Sequence, residues 1–159
     1  MQLPDPGLLL GAISAPVVTG MVTFLLPRTQ NLLRVVVAGC GPIASIFFLI
    51  FHLHQSDVLS NEIGTSVIKW VPSLHLNFSF LTDGLAVFFA FLISGVGVLI
   101  ILYARAYFGE NETSLFRFYP ALGFFTSSML GIVLADHLLL TALFWEMTSI
   151  SSFLLIGWE

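Results

Sequence analysis

The chain has 159 residues, of which 57% are hydrophobic and 9% are charged, with a formal net charge of −4 at pH 7. Soluble domains carry about 25% charged residues, so this composition excludes an ordinary soluble protein and indicates an integral membrane protein. The acidic residues are scattered and the basic residues form no cluster. This pattern argues against a nucleic-acid partner and gives no sign of a site for anionic lipid headgroups.

Five apolar stretches reach the length of about 20 residues that a bilayer requires. Helices are the expected spanning form, because every backbone group needs a hydrogen-bond partner within its own segment and because barrel strands would alternate in polarity. The predicted fold is an all-α membrane bundle that forms a single domain over residues 1–159. Its helices are predicted at about 7–26, 35–53, 84–104, 118–135 and 138–157.

The first predicted helix is expected to remain in the protein, because the N-terminus lacks the basic region of a cleavable signal peptide. The single cysteine, Cys40, lies inside the second apolar run and is interpreted as a small packing residue. Small residues four positions apart favour close approach of helices. They occur as Gly11, Ala15 and Thr19 in the first helix and as Gly123, Ser127 and Gly131 in the fourth.

The joint between the second and third helices, about residues 54–82, is the longest segment outside the predicted helices. Apolar and polar residues alternate from Leu74 to Phe80, which predicts a half-buried strand that pairs in a hairpin with residues 66–70. Asp83 follows this strand and is expected to cap the third helix. The joint leaves no room for a soluble catalytic domain.

Two histidines and a carboxylate lie close together at the predicted outer end of the second helix, as His52, His54 and Asp57. Two histidines two residues apart on a helix point to different faces, so they form a poor metal site. A position at the hydrated membrane interface explains these polar side chains, and no metal is expected there. The chain also lacks a phosphate-binding glycine loop, a paired-cysteine cluster and a nucleophile elbow, so no cofactor is expected.

The basic residues predict the orientation of the bundle, because they concentrate in loops on the cytoplasmic side of a membrane. Arg28 and Arg34 flank the first short loop, Arg105 and Arg117 flank the third, and only Lys69 lies on the other side. The N-terminus and the joint at residues 54–82 are therefore predicted outside. Both arginine-bearing loops are predicted to face the cytoplasm.

Glu146 is the main candidate functional residue, because it lies halfway along the fifth apolar stretch. An acidic side chain at the centre of a spanning helix costs roughly 2.5–3.5 kcal/mol on insertion scales, and such residues usually mark ion or proton paths. Ala142 and Ser149 are predicted on the same helical face, which makes a slightly polar stripe suited to protein or water. The alternative is a structural carboxylic acid that is hydrogen-bonded to a neighbouring helix.

Asp136 and His137 stand at the outer mouth of the fifth helix. The simpler interpretation is an N-capping aspartate beside an interfacial histidine. The functional interpretation is a site of proton uptake that passes protons to Glu146. About ten residues separate the two sites, or roughly 15 Å along a helix, so water would have to bridge them.

Two stretches resemble the antiporter-like membrane subunits, which include the large subunit of Mrp-type sodium/proton antiporters and the proton-pumping subunits of respiratory complex I. The first is Phe78-Ser79-Phe80-Leu81-Thr82-Asp83-Gly84-Leu85-Ala86. The second combines Ala135-Asp136-His137 with Trp145-Glu146-Met147-Thr148-Ser149-Ile150 and the ending Leu154-Leu155-Ile156-Gly157. The resemblance covers roughly residues 70–159, and the version around Glu146 is most similar to the Mrp-type large subunit.

The resemblance implies a bacterial plasma-membrane protein that works with other membrane subunits in proton translocation coupled to sodium export. By this resemblance, Glu146 matches the fifth-helix glutamate, which in the family pairs with a lysine on a later helix. Two alternatives stay open. One is a membrane component of a redox-driven pump, such as complex I or a membrane-bound hydrogenase, and the other is an assembly protein that transports nothing.

The sequence departs from the family pattern at its end, because it stops at Glu159, directly after the fifth predicted helix. It therefore contains the acidic half of the pair and lacks the later helix that bears the lysine. The expectation from the sequence is an N-terminal part of a longer antiporter-like subunit, or a split subunit that another chain completes.

Overall fold

The computed structural model describes residues 6–27, 30–55, 64–71, 76–108 and 112–157. In chain order, the elements are α1 (Pro6–Leu25), α2 (Asn31–Gln55), β1 (Gly64–Val71), β2 (Leu76–Thr82), α3 (Gly84–Phe108), α4 (Glu112–Leu134) and α5 (Leu138–Ile156). Within these described ranges, five helices are long and apolar enough to cross a membrane. The predicted all-α membrane fold is confirmed.

The largest differences from the predicted helix ends are extensions of three helices. Helix α2 begins at Asn31 instead of 35, α3 continues to Phe108 instead of 104, and α4 begins at Glu112 instead of 118. The prediction rests on apolar runs, which mark the part of a helix inside the hydrocarbon layer. Polar and aromatic residues extend these helices beyond that layer, because backbone hydrogen bonding continues past the last apolar residue.

The joint between α2 and α3 folds into the predicted hairpin. Strands β1 and β2 pair antiparallel, with Gly64 opposite Thr82 and Ile68 opposite Phe78, and a shift in register lies between Lys69 and Val71. The start of the predicted alternation, at Leu74, lies outside the described residues. The hairpin is therefore placed between α2 and α3, directly ahead of the third spanning helix.

Helix α3 starts with the predicted cap. The Asp83 carboxylate accepts a hydrogen bond from the Ala86 backbone N–H at 2.7 Å, and the Asp83 carbonyl accepts one from the Val87 N–H at 3.0 Å. A side-chain oxygen here satisfies one of the four backbone donors that every helix leaves free at its start. Asp83 therefore has a structural role as the cap of α3.

Helix α1 packs against both α2 and α4, and small residues permit the close contacts. Gly123 of α4 lies against the Pro16 carbonyl and Gly20 of α1, while Gly41 of α2 lies against Pro16 and Thr19. The predicted close approach at four-residue spacing is thus confirmed for α1 and α4. Dispersion contacts of this kind drive helix association where no hydrophobic effect operates.

Serine hydroxyls connect α1 to its two neighbours. Ser45 of α2 donates to the Ala12 carbonyl at 2.6 Å, and Ser127 of α4 donates to the Ile13 carbonyl. Each hydroxyl therefore crosses to another helix instead of bonding only within its own. These bonds fix the rotation of α2 and α4 about α1, because a hydroxyl buried in hydrocarbon is costly without a partner.

The prediction that Cys40 is a packing residue is wrong, because its side chain is exposed on α2. The buried face of α2 includes Ala38, Gly41 and Ser45, and Cys40 lies on the other side of the helix. An apolar run that faces lipid on one side contains small residues on both faces. Position in such a run therefore does not predict burial.

Helix α5 lies at the edge of the bundle and packs mainly against α4. Leu140 and Ser151 are its buried residues among those described, and Phe144 lies over Gly131 of α4. Most of its other apolar side chains are exposed, including Leu138 at 84% and Phe153 at 74%. One face of α5 is thus in contact with the bundle and the opposite face is open.

Candidate functional site

The polar residues of α5 satisfy most of their hydrogen bonds within the helix itself. Thr148 and Ser149 both donate to the Trp145 carbonyl, at 2.6 and 3.3 Å, and Ser151 donates to the Met147 carbonyl at 2.9 Å. Hydroxyls can bond to the preceding turn, so they do not need a partner from another helix. These residues add polarity to α5 at little cost.

Glu146 differs from the hydroxyls, because its carboxylate cannot donate to its own helix. Its side chain is exposed, together with Ala142 and Ser149. The predicted stripe therefore exists as a single face of α5. Within the part of the chain that the structure describes, no hydrogen bond or ion pair reaches the Glu146 carboxyl. The alternative interpretation is a carboxylic acid that is hydrogen-bonded to a neighbouring helix. No described residue of α1–α4 forms such a bond with Glu146.

The opposite face of α5 explains the direction in which Glu146 points. Leu140, Phe144 and Ser151 follow one another at helical spacing and contact or face α4. Residues three and four apart share a face of a helix, so Glu146 falls on the side away from this contact. The carboxyl is available to a group that packs against α5 from outside the five helices.

The N-terminal end of α5 is held by the hairpin. The Asp136 backbone N–H donates to the Ser79 carbonyl of β2 at 3.0 Å, and Phe80 of β2 pairs with Ala135. Both the Asp136 and His137 side chains are exposed. The hairpin therefore fixes the backbone of this corner while leaving the two titratable side chains accessible to water. The sequence did not predict this contact, because strand and corner are more than fifty positions apart.

The prediction that Asp136 caps α5 is wrong, because His137 is the N-cap residue. His137 Nδ1 accepts a hydrogen bond from the Leu139 N–H at 3.2 Å, and its backbone is extended, with φ −118° and ψ 133°. When Nδ1 accepts, the neutral ring carries its proton on Nε2. The Asp136 carboxylate is thus not needed as a helix cap.

His52 is a second correction, because the sequence placed it at a wet membrane edge and the structure buries it. Its Nε2 lies 3.4 Å from Thr82 Oγ1, at the end of β2. His54, two residues later, is exposed as expected, and Asp57 lies outside the described residues. Helical spacing was the missed signal. His52 continues the buried face of α2 through Ser45 and Leu49 at intervals of three and four.

Arg34 is also buried, although its charge predicted only a position at a helix end. Its Nη2 donates to the Leu26 carbonyl at 2.7 Å, and its guanidinium lies 5.3 Å from the centre of the Phe116 ring. A cation is favourable at the C-terminus of a helix such as α1 and over an aromatic face. The Arg34 Nε and Nη1 atoms are buried without a hydrogen-bond partner.

The geometry defines a class of protein: a multi-pass membrane bundle whose fifth helix bears, on its open face, a carboxyl that pairs with none of the described residues. Among the described residues, no group of three His, Cys, Asp or Glu side chains could hold a metal ion. The feature that stands out is instead a carboxyl about halfway along a helix that is long and apolar enough to cross a membrane. Ionisable residues within spanning helices are rare and usually mark ion or proton paths.

Comparisons with known proteins give the family. Residues 68–119 match the family described as NADH-ubiquinone oxidoreductase (complex I), chain 5 N-terminus. The chain is 42% identical over 113 residues to a Na⁺/H⁺ antiporter subunit from Alkalihalophilus pseudofirmus, and the match covers 71% of this chain and 14% of that protein. It is 47% identical over 118 residues to a probable K⁺/H⁺ antiporter subunit from Rhizobium meliloti, covering 74% and 12%.

A solved structure of the Mrp complex from Dietzia sp. DQ12-45-1b contains a chain with the same fold. The TM-score is 0.71 at 26% sequence identity, and the match covers 93% of this chain and 16% of that chain. The chain is related to the large subunit of Mrp-type sodium/proton antiporters, which confirms the resemblance.

Proposed function

We propose that the chain takes part in cation/proton antiport as one component of a multisubunit bacterial membrane assembly, with Glu146 as the intramembrane proton carrier. The observation that carries this proposal is the position of Glu146 on the open face of α5, without a partner in the described residues. A carboxylate left in hydrocarbon is costly, so this face is completed by protein or water in the working assembly.

The basic partner of Glu146 is proposed to come from a segment or chain that packs on the open face of α5. The arginines of the described residues are at the ends of helices, with Arg34 near the start of α2, Arg105 near the end of α3 and Arg117 near the start of α4. None of them pairs with Glu146. Since this chain covers 14% of its relative from Alkalihalophilus pseudofirmus, that relative has ample further sequence to supply such a partner.

Asp136 and His137 are proposed as the site where protons enter from the outer side. Their side chains are accessible, and the hairpin holds their backbone in place. Water is proposed to connect this corner to Glu146, because the separation along α5 is too long for direct proton transfer. The arrangement would give protons a defined entrance at the end of the helix that bears the carrier.

Asp136→Asn should weaken antiport without abolishing it. The bond to Ser79 uses the Asp136 backbone N–H, so the substitution preserves the contact with β2 and removes only the carboxylate. The antiport rate should fall by much less than the roughly hundredfold loss typical of a directly acting acid or base, with an altered pH dependence. Cation-dependent proton movement in everted vesicles at several pH values measures both effects. If the pH dependence of antiport stayed unchanged in Asp136→Asn, a role of Asp136 in proton uptake would be excluded.

Sodium is the proposed cation, since relatives named as Na⁺/H⁺ antiporter subunits share 42% of residues with this chain over the matched region. One relative carries the name of a K⁺/H⁺ antiporter subunit instead. Deletion of the gene should therefore lower the sodium tolerance of the host, and the complete gene should restore it. Growth in matched sodium and potassium concentrations distinguishes the two cations.

A redox-driven proton pump is the second candidate function, and the match of residues 68–119 to complex I chain 5 favours it. In that case the chain would serve an oxidoreductase whose electron carriers lie in other subunits. Proton pumping that depends on quinone or hydrogen oxidation, and disappears with the gene, would support this function. Loss of sodium tolerance without such a defect would support antiport.

An assembly role without transport is the third candidate. It predicts that Glu146→Ala leaves cation-dependent proton movement intact once the assembly has formed. Because the Glu146 carboxyl makes no hydrogen bond or ion pair with the described residues, nothing among them assigns it a role in holding these helices together. This observation favours a role in transport over one in assembly.

A further inference from the structure

We propose that a groove between α1, α4 and α5 binds an anionic phospholipid, with an acyl chain along its apolar walls and the phosphate at Arg117. The groove has a volume of about 490 Å³. Its walls include Met21 and Phe24 of α1, Phe116, Arg117 and Ala121 of α4, and Leu154 of α5. Phe153 of α5 also lines the groove, about two turns beyond Glu146 on the same helical face, so the groove lies at the end of α5 and not around the carboxyl. The proposal does not depend on the direction or mechanism of transport.

The position of the groove places it at a membrane interface. It is formed by the last turns of α1 and α5 and the first turns of α4, and these three helix ends share one side of the bundle. Apolar atoms dominate its lining, and Leu154 is 51% exposed. Hydrocarbon suits such walls, whereas a free phosphate ion would lose its hydration without enough polar partners.

Positive charge at this end of the groove supplies the preference for an anionic headgroup. Arg117 is exposed on the lining, and the buried Arg34 guanidinium lies 5.3 Å behind the Phe116 ring that forms part of the wall. The Phe24 ring packs edge-on against the Phe116 ring, with 4.7 Å between the ring centres, and this contact holds that wall in place. Guanidinium groups bind phosphate through charge-assisted hydrogen bonds, and basic residues at the interface attract anionic lipids.

A lipid site was not predictable from the sequence, because the chain contains no run of basic residues. The groove instead combines one arginine with apolar residues from three helices that are far apart in the chain. Only the fold brings Met21, Arg117 and Leu154 to one place. The lipid would therefore be recognised by the single guanidinium of Arg117 beside an apolar groove that holds an acyl chain, and not by a polybasic surface.

Arg117→Gln tests the headgroup contact, with Arg105→Gln as the matched control. Both arginines are exposed near the same end of the bundle, and only Arg117 lines the groove. The complete native assembly would be reconstituted with spin-labelled phosphatidylglycerol or spin-labelled phosphatidylcholine. Electron paramagnetic resonance then gives the relative association constant of each lipid. We expect Arg117→Gln to lower the preference for phosphatidylglycerol about fivefold, and Arg105→Gln to leave it unchanged.

Leu154→Trp tests the acyl-chain part by filling the groove, with Leu102→Trp on α3 as its control. The two leucines are similarly exposed, at 51% and 57%, and Leu102 does not line the groove. Leu154→Trp should reduce the immobilised fraction of both labelled lipids, and Leu102→Trp should not. Equal binding of the two lipids to the wild-type assembly would overturn the proposal. Equal effects of Arg117→Gln and Arg105→Gln on the lipid preference would also overturn it. A groove that binds neither lipid, because another protein segment fills it, would overturn it as well.

Discussion

Glu146→Gln should abolish cation/proton antiport by the assembled complex while the complex still forms. Glutamine has nearly the same shape as glutamate and cannot take up and release a proton. Because no hydrogen bond or ion pair of the described residues reaches the Glu146 carboxyl, the substitution removes no such bond within this bundle. We expect the antiport rate in everted vesicles to fall by more than about a hundredfold, the scale of a lost proton-transferring group.

Ser149→Ala is the matched control for this variant. Ser149 lies one turn from Glu146 on the same exposed stripe, and its hydroxyl donates to the Trp145 carbonyl of its own helix. Its loss should leave antiport close to the wild-type rate. Native gel electrophoresis of the membranes reports whether each variant assembles. Robust exchange by an assembled Glu146→Gln complex would rule out Glu146 as the proton carrier.

Gly123→Ala should destabilise the bundle more than any conservative change on its surface. A methyl group at position 123 would overlap the Pro16 carbonyl and press on the Gly20 Cα at 3.2 Å, both of which belong to the backbone of α1. Backbone atoms cannot rotate away as a side chain does, so α1 and α4 would have to separate. Overpacking of this kind costs about 1–3 kcal/mol in the free energy of unfolding.

Gly95→Ala provides the control, because a methyl group at position 95 of α3 meets no atom within 4 Å. Alanine is also the better helix former, so this variant should be neutral or slightly stabilising. Thermal unfolding of the detergent-purified protein, followed by the loss of helical circular dichroism, compares the two. Equal stability of both variants would contradict the close contact between α1 and α4.

The spanning helices and the hairpin were predictable because each depends on local pattern. Apolar runs of sufficient length indicate helices in a membrane, and the alternation ending at Phe80 indicates a strand. The cap at Asp83 was predictable for the same reason, since its carboxylate bonds to Ala86, three residues further on. The ends of α2, α3 and α4 were less predictable, because hydropathy reports only the part of a helix that lies in hydrocarbon.

The features that were missed depend on contacts between distant parts of the chain. His52 is buried because Thr82 of the hairpin lies over it, and the corner at Asp136 is held by Ser79. Arg34 is buried because Phe116 of α4 covers its guanidinium. No local pattern contains these partners. Helical spacing groups His52 and Arg34 with Ser45 on one face of α2, but only the contacts with other elements show that this face is buried.

The exposed stripe around Glu146 was predictable in its residues and only partly in its direction, while its role in transport stays a prediction. An acid within an apolar run identifies Glu146, and one-turn spacing correctly places Ala142 and Ser149 beside it. The sequence could not show that this stripe faces away from α4. That direction depends on Phe144 packing over Gly131, a contact between two helices.

Sodium-induced proton movement in everted membrane vesicles tests the central proposal most directly. The vesicles would be acidified by ATP hydrolysis with respiration inhibited, so that no redox reaction contributes. We predict that added sodium collapses the pH gradient in vesicles with the complete assembly and not in vesicles from the deletion strain. The contradicting result would be a pH gradient that added sodium leaves unchanged in both kinds of vesicle, combined with quinone-driven proton pumping that requires this gene.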